Sequence, residues 1–296
     1  MPRLLVLTAL LIAFARPASS QPADVAPVIE AERAFAADGW ALGLDAALLK
    51  WAAEDAIMIA GGAVRRTEAR LDPQAPLDPS APPIAWWPTW AGIARSGDLG
   101  FTSGPVEVGG MRRGHYFTVW RRQADGGWKW VYDGGVGASA VSAPGPASEP
   151  AVLPTSVLES PSADAAMSEV RTVEAVLAAS ALRDQKQAHL SLLASDARLH
   201  VDRLPPAIGA AQFPAVLDAW PRTLELSPPL DGGASAAGDM VWTYGRVVWD
   251  DAASSGAGYY VHLWQKRTRG WMLAFAQIVE DPSPPVYSVA PPPARD

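Results

Sequence analysis

Ser96-Gly97-Asp98-Leu99-Gly100-Phe101-Thr102-Ser103-Gly104 is answered later in the chain by Ala237-Gly238-Asp239-Met240-Val241-Trp242-Thr243-Tyr244-Gly245. Downstream of each, Gly114-His115-Tyr116-Phe117-Thr118-Val119-Trp120 matches Gly258-Tyr259-Tyr260-Val261-His262-Leu263-Trp264. Next, Gly127-Trp128-Lys129-Trp130 matches Gly270-Trp271-Met272-Leu273. Upstream, Leu48 to Asp55 aligns with His189 to Asp196, and the offset stays between 141 and 144 throughout. Kept order with kept spacing is the mark of an internal repeat. The chain therefore reads as two diverged copies of one module.

Each copy opens with helical periodicity. Pro27 suits a first helical position, and Val28, Glu32, Phe35 and Ala36 follow at helical spacing. Gly39 and Gly43 interrupt the pattern, and Asp45 can cap a second short helix running to Trp51. In the second copy Ser168 is the candidate cap, and Val170, Val173, Leu177 and Ala181 form the apolar stripe. Later segments switch to a period of two. His115 to Arg121 and Tyr259 to Gln265 alternate and are rich in aromatic and β-branched residues, as strands are. Gln123-Ala124-Asp125-Gly126-Gly127 reads as a hairpin turn into Trp128 to Tyr132. Helices followed by an antiparallel meander is an α+β order.

The stretch between the copies is dominated by Ala, Pro, Ser, Gly and Val and carries no aromatic residue, so it reads as a semi-extended linker. At the N-terminus, Arg3 precedes an apolar run from Leu4 to Phe14, then Pro17, Ala18, Ser19 and Ser20. That order is that of a secretory leader, and the run is too short for a membrane-spanning helix. The expectation is a secreted or periplasmic protein. The domain reading is a leader at 1–20, a first domain at 25–136, a Pro/Ala/Ser-rich linker at 137–164, a second domain at 165–281 and a Pro-rich tail at 282–296. With no cysteine in the chain, disulfides, thiolate chemistry and Cys-ligated zinc are excluded, and the core alone must hold the fold. A formal charge of −7, made more negative by loss of a leader holding Arg3 and Arg16, argues against nucleic acid or an anionic membrane as partner.

The run Ser96 to Gly104, then Gly114-His115-Tyr116-Phe117-Thr118-Val119-Trp120-Arg121, Asp125-Gly126-Gly127-Trp128-Lys129 and Asp133-Gly134-Gly135, resembles the nuclear transport factor 2-like superfamily. The similar branch is the ketosteroid-isomerase-like or SnoaL-like group, in its domain-of-unknown-function division. The resemblance covers about Val25 to Gly135 and, more loosely, Ala165 to Asp281. It implies two tandem cone-shaped domains, each a curved antiparallel sheet wrapped around N-terminal helices, with an apolar pocket inside. Superfamily members include isomerases, dehydratases, cyclases and binding modules, so the resemblance implies fold and leaves function to the site.

No phosphate-cradling loop, nucleophile elbow or zinc spacing of the four histidines is present, and no metal or cofactor is implied. What remains is acid–base chemistry or simple binding in a dry pocket, where burial shifts a carboxylate or imidazole toward useful pKa values. His115 and Asp133 are the candidate catalytic residues, with Asp98, Tyr116 and Phe117 as candidate ligand contacts. Each has a plainer alternative: a rim histidine for His115, and turn carboxylates for Asp98 and Asp133, the latter ending a strand before Gly134-Gly135. Asp133 has Ala276 as its counterpart in the second copy. Trp86, Trp87 and Trp90, after a Pro-rich stretch, either line a pocket mouth for a small apolar or aromatic ligand or form a lid on the core.

Alternation puts His115, Phe117 and Val119 on one strand face, read here as the concave one. Tyr116, Thr118 and Trp120, with Tyr260, His262 and Trp264, then occupy an outer face that needs a cover. The expectation is an internal pseudo-dimer packed through Tyr116, Trp120, Tyr260 and Trp264. The functional expectation is a non-catalytic small-molecule-binding or accessory protein; the alternatives are a cofactor-independent isomerase, dehydratase or cyclase using the first copy, and a purely structural interaction domain.

Overall fold

A computed structural model describes residues 23–60, 62–66, 71–72, 82–138, 143–250 and 254–281. The leader, the tail and most of the Pro-rich stretch before Trp86 lie outside these residues.

The first half opens with α1 (Ala26–Leu42) and α2 (Leu44–Trp51). Strands β1 (Ala52–Ala60), β2 (Ala63–Arg66), β3 (Ile84–Trp86), β4 (Trp90–Ile93), β5 (Leu99–Val108), β6 (Met111–Arg122), β7 (Trp128–Gly137) and β8 (Ala151–Val152) follow. The second half has α3 (Ala163–Leu192), β9 (Leu193–His200), β10 (Ala207–Ile208), α4 (Phe213–Leu217), β11 (Glu225–Leu226), β12 (Asp231–Ala234), β13 (Met240–Asp250), β14 (Ser255–Arg267) and β15 (Gly270–Glu280). The first sheet runs β2-β1-β7-β6-β5-β4-β8, with β3 also on β5; the second runs β10-β9-β15-β14-β13-β11, with β12 also on β13. Both centres are antiparallel meanders, and in each the strand leaving the helices joins the meander's last strand in parallel. Even the irregularities recur: the β6–β7 register shifts between Val119 and Trp120, and the β14–β15 register between Leu263 and Trp264. The fold is α+β, two cones in tandem.

Several local expectations are corrected. α1 runs through Gly39 and stops at Gly43, whose φ is 90°. Gly39 sits inside the helix because a Cβ there would overlap the Trp86 indole. Gly39→Ala is therefore expected to destabilise by about 1–3 kcal/mol through overpacking. That is opposite in sign to the roughly 1 kcal/mol such a change gains in an open helix interior. Urea unfolding of the single variant decides the sign. Asp45 is not the cap of α2 but receives the backbone N–H of Asp72 at 3.2 Å. α3 starts earlier than Ser168: Ser162 caps it, accepting from the Ala165 N–H at 3.1 Å. β7 does not end at Asp133; it continues to Gly137, because Gly134 and Gly135 let the strands approach where a Cβ would meet the Ile59 and His115 carbonyls.

The segment read as a spacer is bonded into both halves. β8 pairs in parallel with β4, Leu153 is buried, and Gln265 Nε2 donates to the Pro154 carbonyl at 2.9 Å.

The two sheets meet face to face. Phe117 stacks on Phe275 with centroids 3.8 Å apart, Tyr132 lies 5.8 Å from Trp242, and Gln277 Nε2 donates to the Tyr132 hydroxyl at 2.8 Å. This corrects the face assignment. Tyr116, Trp120, Tyr260 and Trp264 do not form the seam; each points toward its own half's helix. Both strand faces are buried, so apolarity could not tell them apart. The face carrying Trp120 and Thr118 lies where a buried helix carboxylate or strand acceptor meets it, and the face carrying Phe117 and Val119 packs against the other sheet.

The equivalent β-turns of the two halves also exchange bonds. Asp98 Oδ2 accepts from the Ala236 N–H and Asp239 Oδ2 from the Arg95 N–H, both at 2.9 Å. Here residue i meets j and the counterpart of j meets the counterpart of i, the pattern of a two-fold interface, written within one chain.

Candidate functional site

The inner side of the first cone is organised by Glu32. It lies on the face of α1 that carries Val28 and Phe35, and is completely buried. Trp86 Nε1 donates to its Oε1 at 2.7 Å, Trp120 Nε1 to its Oε2 at 3.2 Å, and the Thr102 hydroxyl donates to Oε2 as well. Trp120 Nε1 also reaches Thr102 Oγ1 at 2.9 Å. Burial pushes Glu32 up to about 7, against the lowering effect of its donors. Three strands are thus tied to one helix through a single carboxyl.

The second cone repeats the device with Glu174 on α3. Its Oε1 accepts from the Thr243 hydroxyl at 2.6 Å, Trp264 Nε1 at 2.8 Å and His262 Nδ1 at 3.0 Å. Burial favours the neutral acid here too, but His262 and the other donors outweigh it, and Glu174 is held below the usual carboxylate range. His262 stands where the first copy has Thr118. Strand alternation assigns it to the seam between the halves; its place is inside the second cone.

Glu32 and Glu174 escaped the motif reading. The signal is a glutamate within an apolar helical stripe in each half, at a spacing of 142 that lies within the 141 to 144 of the matched segments.

Around Glu32 the first copy keeps further polar groups. Asp133 faces Thr118 across the β6–β7 ladder and accepts its hydroxyl at 2.6 Å. Burial pushes Asp133 up to about 6. The Tyr116 hydroxyl is buried without a well-formed hydrogen bond. Burial, and then the Glu32 carboxyl, drive its pKa upward. Its neighbour Thr102 donates its one proton to Glu32 and accepts from Trp120, and the lone pair it has left offsets only part of that rise through its contact with the tyrosine hydroxyl. In the second copy these positions are closed: the Tyr260 hydroxyl donates to the Ser227 carbonyl at 3.0 Å, and Ala276 replaces Asp133.

The other predicted site residues are dispersed. His115 and Phe117 lie on the opposite strand face from Tyr116 and Asp133, so His115 and Asp133 do not converge on one cavity. His115 sits in the cleft between the halves, its ring 5.5 Å from His200. Burial, with Arg112 and Arg198 nearby, pushes His115 down to about 4. The three tryptophans diverge as well. Trp86 joins Glu32, Trp87 Nε1 donates to the Pro144 carbonyl at 2.8 Å, and Trp90 packs on Phe101 and Phe275. Asp98 is a turn residue bonded to the other half. Among the described residues no group of three or more His, Cys, Asp or Glu could hold a metal ion, and no helix is long and apolar enough to cross a membrane.

No family model and no curated protein matches the chain. Solved structures do, each over part of it. A protein of unknown function with a cystatin-like fold from Nostoc punctiforme is 21% identical over 40% of this chain and 93% of its own, with a TM-score of 0.32. A nuclear transport factor 2-like protein of unknown function from Pseudomonas putida is 14% identical over 40% and 87%, at 0.33. A ketosteroid isomerase-like protein from Erwinia carotovora is 14% identical over 40% and 97%, also at 0.33.

Proposed function

We propose that this is an exported, non-catalytic binding or accessory protein of the nuclear transport factor 2-like kind, made of two diverged copies of one module. Its ligand, a small molecule with an apolar body and one polar group, sits in the first cone. One asymmetry carries this reading. The first copy leaves the buried Tyr116 hydroxyl without a well-formed hydrogen bond, beside Asp133, whereas the second copy satisfies Tyr260 through Ser227 and has Ala276. Buried polar groups are ordinarily paired, so a spare hydroxyl at Tyr116 and not at its counterpart Tyr260 supports a partner supplied from outside.

Two paired substitutions separate this reading from a packing defect. Tyr116→Phe is expected to leave urea stability unchanged or raise it by up to about 1 kcal/mol, since no bond is lost. Tyr260→Phe is expected to cost about 1 kcal/mol through its bond to Ser227. Native mass spectrometry of protein purified from its own host's export compartment should show a small molecule on the unaltered chain and none on Tyr116→Phe. A chain that carries nothing, or a variant that carries it equally, overturns the reading.

A second reading has specific support. Asp133, at about 6, and Glu32, at about 7, are carboxyls poised near neutral pH, as acid–base catalysis by an isomerase, dehydratase or cyclase requires. Against it, Glu32 is fully engaged by Trp86, Thr102 and Trp120, and Glu174 repeats that engagement in a copy lacking the aspartate. The pattern suits a helix-to-sheet tie better than a proton carrier.

A further inference from the structure

The seam between the halves opens, near His115, into a cleft of about 350 Å³. β6 supplies His115 and Arg112, β5 supplies Ser103, and β9 of the other half supplies Arg198 and His200. Arg198 is 8% exposed. Its guanidinium lies over the Trp90 indole, 4.8 Å from the centroid, and no carboxylate among the described residues forms an ion pair with it. His200 Nδ1 is buried with no hydrogen-bond partner, and its Nε2 is 3.4 Å from Ser103 Oγ. The acid on the cleft's rim, Glu149, is largely exposed and faces Arg33 at 3.9 Å. Arg112 already holds Glu107 at 3.1 Å.

A buried guanidinium is costly unless a counter-charge meets it. Here the fold spends two halves to build a lined recess around one, and provides an orphan imidazole nitrogen beside it. Pro144, Pro205, Pro206 and Ile208 give the recess an apolar wall. We infer that this cleft binds a small organic carboxylate, its charged end on Arg198 and His200 and its apolar body against the prolines and Ile208. Both imidazoles are kept neutral in the unliganded protein by burial and by the positive groups around them, and an arriving carboxylate draws a proton onto His200, so that Nδ1 becomes a donor while Nε2–H stays with Ser103. The site lies across the sheet from Tyr116 and Asp133, so it stands or falls independently of the ligand proposed for the first cone.

The test is calorimetric titration of the full chain with benzoate, its neutral isostere benzamide, and inorganic phosphate. Benzoate is expected to bind saturably and shift the His115 and His200 imidazole NMR signals, while benzamide and phosphate bind at least about tenfold more weakly. Arg198→Met is expected to weaken benzoate by about tenfold or more. Arg198→Lys retains the charge but not the planar fork, and should fold as the unaltered chain does while losing most of the affinity. Equal binding of benzamide, binding of phosphate in preference to benzoate, or unchanged benzoate affinity in a folded Arg198→Lys protein would each overturn the assignment.

Discussion

Replacing Glu32 with alanine is expected to lower the free energy of unfolding by about 3–5 kcal/mol. The change removes more than a side chain. It strands the Trp86 indole N–H and the Thr102 hydroxyl, which have Glu32 as their acceptor, in a buried space, and leaves Trp120 with Thr102 alone. Each buried donor left unmade costs about 1–3 kcal/mol, and the vacated volume adds a cavity cost. Glu32→Gln should behave quite differently. A neutral amide can accept from Trp86 through its oxygen and donate to Thr102, while Trp120 keeps its bond to Thr102.

The sign of the pH dependence follows from the same residue. Its folded pKa, about 7, lies above the ordinary 4.5, so between those values the native state holds a proton that the unfolded chain has released. Stability from this group is full below pH 4.5 and is lost as pH rises through 7, by roughly 3 kcal/mol. Glu32→Gln should remove that loss, so the variant gains on the unaltered chain as pH climbs from 4.5 to 8. Urea unfolding at several pH values measures it. Parallel stability curves for the two proteins would show that the carboxyl is not held neutral by its surroundings.

The second large effect belongs to the seam. Phe275→Ala should cost about 3–5 kcal/mol, the range for a fully buried phenylalanine. The ring is completely buried, stacked on Phe117 across the halves, edge-on to His200 at 4.9 Å and 6.4 Å from Trp90. Phe275→Asp goes further by setting an unpaired carboxylate against Phe117. It should split a single denaturation into two, with Trp90 and Trp242 emission moving to longer wavelength in the first step. If Phe275→Asp unfolds in one step at an unchanged midpoint, the two sheets do not share a core. Trp120 and Trp264, by contrast, should report on their own cones when altered.

The parts of this fold that could be read from the chain are those written in local chemistry. The Gly-Asp turns, the period-two runs and the Gly-Trp strand starts recur in order, and they gave two α+β units. What could not be read depends on packing at a distance. Phe117 and Trp120 are both large and apolar, and only the position of α1 decides which of them faces the helix. Asp133 before two glycines resembles a turn locally. It is a mid-strand residue because the neighbouring strands press too closely for any Cβ. The site was legible in fragments: Tyr116 and Asp133 stood out, but the glutamate that organises their surroundings was submerged in a helical stripe. The Arg198 cleft had no signature at all, since its residues come from two halves whose juxtaposition no periodicity encodes.

The reciprocal bonds between the Asp98 and Asp239 turns carry one more consequence. In a homodimer every substitution appears twice, and an asymmetric change on one side of the axis is impossible. Joining the partners by a tether bonded to both removes that restriction, and holds them at an effective concentration that dilution cannot lower. The second half can then carry His262 and Ala276 where the first has Thr118 and Asp133, with neither residue imposed on its counterpart. A single chain permits two unlike interiors inside one symmetrical frame, and that frame rests on turns that are alike in both halves.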